Sequence, residues 1–238
     1  MNYKTFEYLP GRVINHRQAS LTDKIVIEEI FNRQVYNLLH FKQSKPLFSY
    51  YDIKIKDGLI PIIVDAGANI GAATHWFLMM YPTSKILAIE PEKNNVDILK
   101  QNVRRMNVSV FEGALGSLDG QMILVNPGKG DWAFQVKESG EGYPVRVFTG
   151  DIIMGSIDMQ SHFAFICKID IEGGEDNLFK INTEWLKLFP VIIIEIHDWM
   201  IPGIANSKSF FKFIAENNYD IVYRGELIFA FNNDLLQS

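Results

Sequence analysis

The sequence of 238 residues predicts an α/β fold in which a mainly parallel sheet is covered by helices on both faces. From residue 59 onward, short apolar runs alternate with segments of helical periodicity, which is typical of buried parallel strands joined by helices. Two β-rich runs near the C-terminus flank Gly225 and Glu226, which favours an antiparallel hairpin at the edge of the sheet. We therefore divide the chain into an N-terminal extension (1–59) and a main domain (60–238).

The N-terminal extension contains two predicted elements. Apolar side chains recur at helical spacing from Asp23 to Leu39, with Thr22 or Asp23 as the cap, and predict an amphipathic helix. The alternation from Phe48 to Ile55 favours a strand. We expect the extension to pack on the main domain, either as structural cover or as a lid over its site, and the sequence does not decide between the two.

Apolar runs and amphipathic segments alternate along the main domain. Apolar runs predict core strands at 60–65, 86–90, 108–112, 163–171 and 191–196, followed by the hairpin strands 219–224 and 227–231. Amphipathic segments predict helices at about 70–80, 94–106, 175–188 and 207–216. The turn-rich region 116–162 is expected to insert extra strands and loops between the third and fourth core strands.

Composition and charge exclude several classes of protein. Hydrophobic residues make up 47% of the chain and charged residues 21%, which argues against a disordered, fibrous or integral membrane protein. The net charge of −5 gives no bulk attraction to nucleic acid. The lone Cys167 lies in an apolar run and is expected to be buried, and it allows no internal disulfide. Without a predicted signal peptide or membrane span, we expect a cytoplasmic protein.

The sharpest local motif is Val-Asp-Ala-Gly-Ala-Asn-Ile-Gly at 64–71, where a strand, an acid and glycines lead into a helix. Such a loop brings a ligand close to backbone N–H groups. A phosphate-binding P-loop needs a lysine after the last glycine, and the dinucleotide motif needs a glycine where Asn69 stands. An S-adenosylmethionine site fits better, with Gly67 and Gly71 shaping the loop and Asp65 near the ammonium group of the methionine moiety.

Acidic residues at the ends of the next two strands extend this prediction. Glu90, followed by Pro91, ends the second strand, where a carboxylate can accept both hydroxyls of an adenosine ribose. NAD sites use the same device, so Glu90 indicates adenosine rather than one cofactor. Glu112 ends the third strand, and the backbone around Ala114 is placed to bind adenine, although Glu112 can also simply face solvent.

Charged residues also gather at the ends of the fourth and fifth strands. With period-two alternation, Lys168, Asp170 and Glu172 share one side of the fourth strand. On the fifth strand, Glu195 and His197 share a side next to them. Such charges are costly in a core unless they contact a ligand or one another, so a ligand site and an internal salt bridge from Lys168 are the two interpretations.

Five sequence blocks together resemble the FkbM family of S-adenosylmethionine-dependent methyltransferases, over roughly residues 60–232. They are Val-Asp-Ala-Gly-Ala-Asn-Ile-Gly at 64–71, Ala-Ile-Glu-Pro at 88–91, Glu-Gly-Ala-Leu-Gly at 112–116, Lys-Ile-Asp-Ile-Glu-Gly-Gly-Glu at 168–175 and Ile-Glu-Ile-His at 194–197. The resemblance implies a Rossmann-like, seven-stranded class I methyltransferase domain. It also implies O-methylation of a hydroxyl on a sugar, a glycolipid or a macrolide. Gly174 and the Phe-Thr-Gly-Asp block at 148–151 depart from the family pattern.

His197 is the first choice for the catalytic base, because the usual imidazole pKa lies near neutrality and Glu195 or Asp198 could fix its tautomer. Asp170 and Glu172 are the alternatives, and Asp170 could instead bind the amino group of the cofactor. A metal ion is not expected, but Asp170, Glu172, Glu195 and His197 form an alternative site for Mg²⁺ or Mn²⁺. Trp132 and Trp199 are candidates for stacking on a sugar.

Other functions stay open at this point. The chain could bind S-adenosylmethionine or its product without catalysis, or act as an NAD-dependent oxidoreductase, which the absent dinucleotide motif disfavours. A nucleic-acid methyltransferase is disfavoured by the net charge and by the lack of an Asn/Asp-Pro-Pro-Tyr/Phe block after the fourth strand. We expect a small-molecule or glycan acceptor, with no nucleic-acid partner and no membrane insertion. The sequence does not decide between a monomer and a homodimer.

Overall fold

The computed structural model describes residues 2–125, 135–137 and 140–237. In these ranges the strands are, in chain order, β1 (Tyr3–Leu9), β2 (Arg12–Arg17), β3 (Ile60–Ala66), β4 (Lys85–Glu90), β5 (Val108–Glu112), β6 (Ala114–Leu115), β7 (Gly120–Val125), β8 (Gln135–Lys137), β9 (Tyr143–Phe148), β10 (His162–Ile169), β11 (Val191–Glu195), β12 (Tyr219–Arg224) and β13 (Leu227–Asn232). The α-helices are α1 (Leu21–Ile27), α2 (Ser44–Lys56), α3 (Ala72–Met80), α4 (Lys93–Asn102), α5 (Gly150–Gly155), α6 (Glu175–Lys180), α7 (Lys208–Glu216) and α8 (Asn233–Leu236).

A seven-stranded sheet forms the centre, in the order β12-β13-β11-β10-β3-β4-β5. The pairs β3–β4, β4–β5, β3–β10 and β10–β11 are parallel, whereas β13 pairs antiparallel with both β11 and β12. The predicted mainly parallel sheet and its antiparallel C-terminal hairpin are therefore confirmed. The chain runs outward from β3 in one direction and continues from β10 in the other, so the strand order reverses between these two strands. In open α/β sheets, ligands bind at such a switch point, beyond the carboxyl ends of the strands.

The two faces of the sheet are packed as separate hydrophobic layers. Ile63 and Phe165 belong to the layer that packs against α3 and the N-terminal extension. Val64 and Cys167 belong to the opposite layer, under α6 and α7. Neighbouring residues of one strand enter different layers because successive side chains point to opposite faces. The thiol of Cys167 is fully buried, as predicted, and burial raises its pKa.

The N-terminal extension differs from its prediction in three places. Residues 3–17 form the hairpin β1–β2, which the sequence analysis did not predict. The predicted helix from Asp23 to Leu39 is shorter, because α1 ends in a π-helical turn at Glu28–Asn32. Gln34 then takes a positive φ of 52°, which a continuing right-handed helix cannot accommodate.

The strand predicted from Phe48 to Ile55 is wrong, because this segment lies inside α2. Leu47, Tyr51 and Ile55 repeat at a spacing of four and pack on the hydrophobic layer of α3. The Tyr51 ring lies 4.7 Å from that of Phe165, whereas Ile53, which an alternating strand would bury, is exposed. The apolar positions fit both periods, and the aromatic contacts with the sheet select the helix.

The region between the third and fourth core strands contains extra strands, as predicted, and they pair into a second sheet in the order β6-β9-β7-β8. The turn-rich segment 126–131 and Trp132 lie outside the described residues. The helix predicted at 175–188 is interrupted: α6 ends at Lys180, Asn182 has a φ of 58°, and a 3₁₀ turn covers Glu184–Leu188. Among the described residues, no helix combines the length and apolar character that crossing a bilayer requires.

Candidate functional site

A cavity of about 790 Å³ lies beyond the carboxyl ends of the central strands. Its volume falls within the range of small-molecule sites. The lining comes from the loop after β3, the ends of β4, β10 and β11, the second sheet, the N-terminal extension and the β12–β13 turn. Of the residues predicted for the site, those on the lining are Gly67, Asn69, Glu90, Pro91, Ala114, Lys168, Asp170, Glu172, Glu195 and Trp199.

The glycine loop after β3 packs too tightly for larger residues. Gly67 has a φ of 75°, and a Cβ there would lie 1.7 Å from the carbonyl oxygen of Asp170. Gly71 has a φ of 91°, and a Cβ would lie 2.8 Å from Leu99. Asn69 also takes a positive φ, of 50°, and its side-chain oxygen is buried without a hydrogen-bond partner. The loop therefore turns sharply at the cavity wall, and Asn69 carries a buried side-chain oxygen without a partner.

Glu90 is held at the cavity by donors on both carboxylate oxygens. The backbone N–H of Asn69 donates to Oε2 at 2.8 Å, and that of Glu92 donates to Oε1 at 2.9 Å. The side-chain amide of Asn95 donates to Oε1 at 3.3 Å. Burial raises the pKa of Glu90 to about 7, although these N–H donors lower it. Three donors therefore occupy three of the four lone-pair sites of the carboxylate, and Oε2 keeps one free site for a ligand.

Asp65 lies beneath the cavity rather than on its lining. It is fully buried, accepts a hydrogen bond from the hydroxyl of Thr74 at 2.6 Å, and lies 3.2 Å from the ammonium of Lys168. That ammonium also donates to the carbonyls of Ala66 and Gly67 and lies 3.4 Å from Asp170. Burial alone would lower the pKa of Lys168, but Asp65 and Asp170 outweigh it and raise the pKa. The internal salt bridge of Lys168 is therefore present, and it connects the loop to β10.

At the end of β5, the two predicted residues separate. Ala114 is buried and lines the cavity together with Leu115. Pro91, after β4, also lines the cavity. Glu112 points away from the cavity and forms an ion pair with Lys100 on the surface. Glu112 therefore faces solvent, which was the alternative to a position at the adenine.

The predicted acids of the fourth and fifth strands converge on His197, and we call Asp170, Glu172, Glu195 and His197 the acidic cluster. The Nε2 atom of His197 lies 3.5 Å from Glu172 Oε2, 3.5 Å from Glu195 Oε1 and 3.8 Å from Asp170 Oδ1. The imidazole is only 1% exposed and lies behind the carboxylates that line the cavity. The strand ends thus bring together the residues that the sequence placed on a common side.

The Nδ1 atom of His197 contacts a carboxylate that the sequence did not pair with it. Glu175, at the start of α6, lies 2.7 Å from Nδ1 through Oε1 and also accepts a hydrogen bond from the side chain of Asn206. Asp198 instead accepts the backbone N–H of Ser207. Glu175 therefore makes the contact with Nδ1 that we expected from Glu195 or Asp198, and Glu195 instead lies 3.5 Å from Nε2. Glu175 belongs to the Glu-Gly-Gly-Glu block, but no spacing in the sequence relates it to His197.

The carboxylates shift the titration of the cluster. Burial lowers the pKa of His197, but Glu175 and Glu195 outweigh it and raise the pKa to about 11. The imidazole does not have the near-neutral pKa assumed from the sequence. Burial and then the charge of Asp170 raise the pKa of Glu172 to about 8, against the effect of His197. Burial likewise raises the pKa of Glu195.

One group of side chains in the described part of the chain has the spacing of metal ligands. One ligand atom from each of Asp170, Glu172 and His197 lies within 4.8 Å of the others. Glu172 Oε2 and His197 Nε2 are both buried without a hydrogen-bond partner.

The N-terminal extension forms one wall of the cavity, which the sequence left undecided between cover and lid. Its lining residues are Thr22, Ile25, Val26, Glu29, Ile30, Arg33, Val35 and Tyr36. The guanidinium of Arg224 on β12 donates to the backbone carbonyls of residues 33, 35 and 37 and holds this wall against the hairpin. Tyr36 is 7% exposed, and burial raises its pKa. Neither Arg224 nor Tyr36 belongs to a sequence motif, so no pattern identifies them as residues of the site.

The chain was compared with known proteins. A family model for the methyltransferase FkbM domain matches residues 65–221, about two thirds of the chain. A protein named Methyltransferase 1 from Beauveria bassiana (strain ARSEF 2860) is 28% identical over 204 residues, covering 76% of each chain.

Solved structures with a similar fold include methyltransferases. A putative O-methyltransferase from Klebsiella pneumoniae has a TM-score of 0.43 at 12% identity, covering 88% of each chain. The plantazolicin methyltransferase BpumL, solved in complex with SAH, has a TM-score of 0.42 at 9% identity and covers 90% of this chain and 91% of that one. Because the family model matches well over half of the sequence, the chain belongs to the FkbM methyltransferase family.

Proposed function

We propose that this protein is an S-adenosylmethionine-dependent O-methyltransferase that acts on a hydroxyl of a carbohydrate, a glycolipid or a polyketide-type small molecule. The observation that carries the proposal is the Glu90 carboxylate, which lines the cavity with both oxygens fixed by the backbone N–H groups of Asn69 and Glu92. A carboxylate held in this way, with a free lone pair on Oε2, is suited to accept a hydroxyl of an adenosine ribose. Membership of a methyltransferase family supports S-adenosylmethionine over NAD.

The residues around Glu90 fit this cofactor. Gly67, Ala68 and Ala72 line one wall with small side chains and leave room for a ligand. The buried, unpartnered Oδ1 of Asn69 is an acceptor for a donor group on the ligand, such as an ammonium. Beyond Glu90, Leu115 and its neighbours provide an apolar surface of the kind that holds a base. We assign Asp65 an indirect role, because it is buried beneath the cavity and contacts the loop through Lys168.

When bound, S-adenosylmethionine supplies a methyl group on sulfur that a hydroxyl oxygen can displace in line. The chain mainly aligns the acceptor, and alignment of this kind contributes up to about 7–11 kcal/mol. We assign contact with the acceptor hydroxyl to Glu172 and Glu195, because their carboxylates line the cavity at its acidic cluster. Removal of the hydroxyl proton by a well-placed base adds roughly 10²–10⁴ to the rate. We give His197 a supporting role behind these carboxylates, because it is 1% exposed.

The rest of the lining supports a polar, hydroxyl-rich acceptor. Trp199 is 56% exposed and lines the cavity, where its indole can stack on the apolar face of a sugar ring. The carboxyl groups of Glu29 and Glu226 also line it and are hydrogen-bond acceptors for hydroxyls. Arg33 adds a donor for acceptor oxygens. These residues come from the extension and from the β12–β13 turn, where we expect the choice of acceptor to be made.

The proposal is tested first by calorimetry with S-adenosylhomocysteine, with NAD as the control ligand. We expect micromolar binding of S-adenosylhomocysteine and no measurable binding of NAD. Tighter binding of NAD would refute the cofactor and favour an oxidoreductase.

The second test follows the methyl group. S-adenosylmethionine with an isotopically labelled methyl group is incubated with the protein and a panel of sugars, glycolipids and macrolides, and products are identified by mass spectrometry and NMR. We expect a labelled methyl ether. Label on nitrogen or sulfur would contradict O-methylation, and cofactor binding without transfer to any acceptor of these classes would favour a non-catalytic binding protein.

A further inference from the structure

We propose that Asp170, Glu172 and His197 bind one divalent transition-metal ion at the acidic cluster, with Glu175 as the positioning residue behind His197. The site is separate from Glu90, and the proposal does not depend on which cofactor binds there. It changes the expectation from the sequence, where a metal site was only an alternative.

The first observation is the orientation of the buried imidazole. Glu175 Oε1 lies 2.7 Å from Nδ1 of His197, and because a carboxylate only accepts, Nδ1 carries the proton in this pair. The other nitrogen, Nε2, is directed at the carboxylates of the cluster but has no hydrogen-bond partner. The Oε2 atom of Glu172, also buried, has none either. Buried polar atoms without partners are rare, and two that face each other indicate a missing group between them.

The second observation is the set of distances. Two ligand atoms that are each about 2.1 Å from a shared ion lie about 3.0 Å apart at right angles and at most about 4.2 Å apart. Nε2 of His197 lies 3.5 Å from Glu172 Oε2 and 3.8 Å from Asp170 Oδ1, which fits within this range. One ligand atom from each of the three residues lies within 4.8 Å of the others, so a small side-chain rotation completes the set.

The third observation is the excess of negative charge. Four carboxylates surround one imidazole, which carries at most a single positive charge: Asp170, Glu172, Glu175 and Glu195. The nearby ammonium of Lys168 does not balance them, because it is also paired with Asp65 and donates to two backbone carbonyls. A divalent cation between the carboxylates would supply the missing charge where solvent is largely excluded.

The surroundings of His197 match those of metal-binding histidines in proteins. Such histidines donate their other ring N–H to a carboxylate, which fixes the ring and raises the basicity of the ligating nitrogen. Glu175 makes this contact with His197, and the side chain of Asn206 in turn donates to Glu175. Both Glu175 and Asn206 are buried, so the pair is held in place from behind.

The types of ligand limit which metal ions fit the site. Carboxylates suit Mg²⁺, Ca²⁺ and Mn²⁺, whereas an imidazole favours transition metals, so Mn²⁺ is the probe that matches both. Three protein ligands leave open positions on an ion that prefers about six. Because Asp170 and Glu172 line the cavity, these positions face the space where we place the acceptor hydroxyl. A hydroxyl bound there would lose its proton more easily.

The test is Mn²⁺ binding to chelator-treated, dialysed protein, followed by calorimetry and by loss of the electron paramagnetic resonance signal of free Mn²⁺. We expect one ion per chain. We expect Glu172→Gln to weaken binding at least tenfold, and Glu175→Gln to weaken it about 10–100-fold through loss of orientation. Asp198→Asn is the matched control, because this neighbouring carboxylate accepts the N–H of Ser207 and should leave Mn²⁺ binding unchanged.

A second measurement separates binding from folding. A metal that binds only the folded state raises the Tm, so Mn²⁺ should raise the Tm of the wild type and of Asp198→Asn but not that of Glu172→Gln. No bound Mn²⁺, tighter binding of Ca²⁺ or Mg²⁺, or equal binding by Glu172→Gln would overturn the proposal. S-adenosylhomocysteine is titrated into the same metal-free protein, so the cofactor proposal and the metal proposal can fail independently.

Discussion

Replacing Glu90 with glutamine should weaken S-adenosylhomocysteine binding by about 10–150-fold. The wild-type carboxylate keeps a free lone pair on Oε2, which accepts one N–H, from Asn69, whereas Oε1 accepts two donors, from Glu92 and Asn95. Glutamine keeps one carbonyl acceptor and loses the charge. A hydrogen bond to a charged group contributes about 1.5–3 kcal/mol, and each 1.4 kcal/mol is a tenfold change in affinity.

The Glu90→Gln variant should stay folded, which makes the binding result interpretable. Its amide NH₂ must face one of the two backbone donors, which leaves an N–H unpaired at a cost of about 1–3 kcal/mol. The substitution also removes a carboxylate whose pKa burial raises to about 7. Ionising that carboxylate in the folded protein at pH 8 costs about 3 kcal/mol relative to the unfolded chain. The two effects are similar in size and opposite in sign, so the free energy of unfolding should change little.

Calorimetry at pH 8 with matched variants checks this reasoning. Glu112→Gln is the control, because Glu112 also ends a strand of the sheet but pairs with Lys100 on the surface. We expect it to bind S-adenosylhomocysteine like the wild type, with urea unfolding confirming that both variants are folded. Wild-type affinity in folded Glu90→Gln, or an equal loss in Glu112→Gln, would refute the assignment of Glu90 to the ribose.

Three further predictions concern the pKa of Glu90, the packing of Gly67 and the buried His75. Because the pKa of Glu90 is raised to about 7, its ionised fraction rises about tenfold from pH 6 to pH 8, and S-adenosylhomocysteine affinity measured by calorimetry should rise with it, but not in Glu90→Gln. Gly67→Ala should cost more than about 2 kcal/mol of unfolding free energy in urea, because its Cβ would lie 1.7 Å from a backbone oxygen, whereas Gly225→Ala, with open space around it, should cost about 1 kcal/mol. Burial lowers the pKa of His75 to about 4, so the unfolded chain binds the proton at a higher pH than the folded chain does. The free energy of unfolding in urea should therefore fall by up to about 3 kcal/mol as the pH drops from 6.5 to 4. The His75→Gln variant should lack this pH-dependent loss.

Local sequence predicted the sheet and the grouping of polar residues at the ends of the fourth and fifth core strands, but it did not determine the direction of Glu112 at the end of the third. Period-two alternation placed Asp170 and Glu172 on one side of a strand, and Glu195 and His197 on one side of the next, and the structure brings all four together. Parallel neighbours end at the same edge, which brings these positions near one another. Alternation does not by itself place Glu172, because β10 ends at Ile169 and Glu172 takes a positive φ of 54° in the turn that follows. Alternation and strand order do not determine which carboxylate meets which nitrogen. Glu175 lies on a helix, and its contact with His197 depends on how that helix docks.

Contacts made across long sequence separations could not be predicted in the same way. The wall around Tyr36 is held by Arg224, whose guanidinium binds backbone carbonyls nearly 190 residues earlier in the chain. Every residue has a backbone carbonyl, so no sequence pattern in residues 33–37 predicts this contact. The same segment lines the cavity. The family match begins at residue 65, so this wall lies outside the matched region, which is why we place the choice of acceptor there.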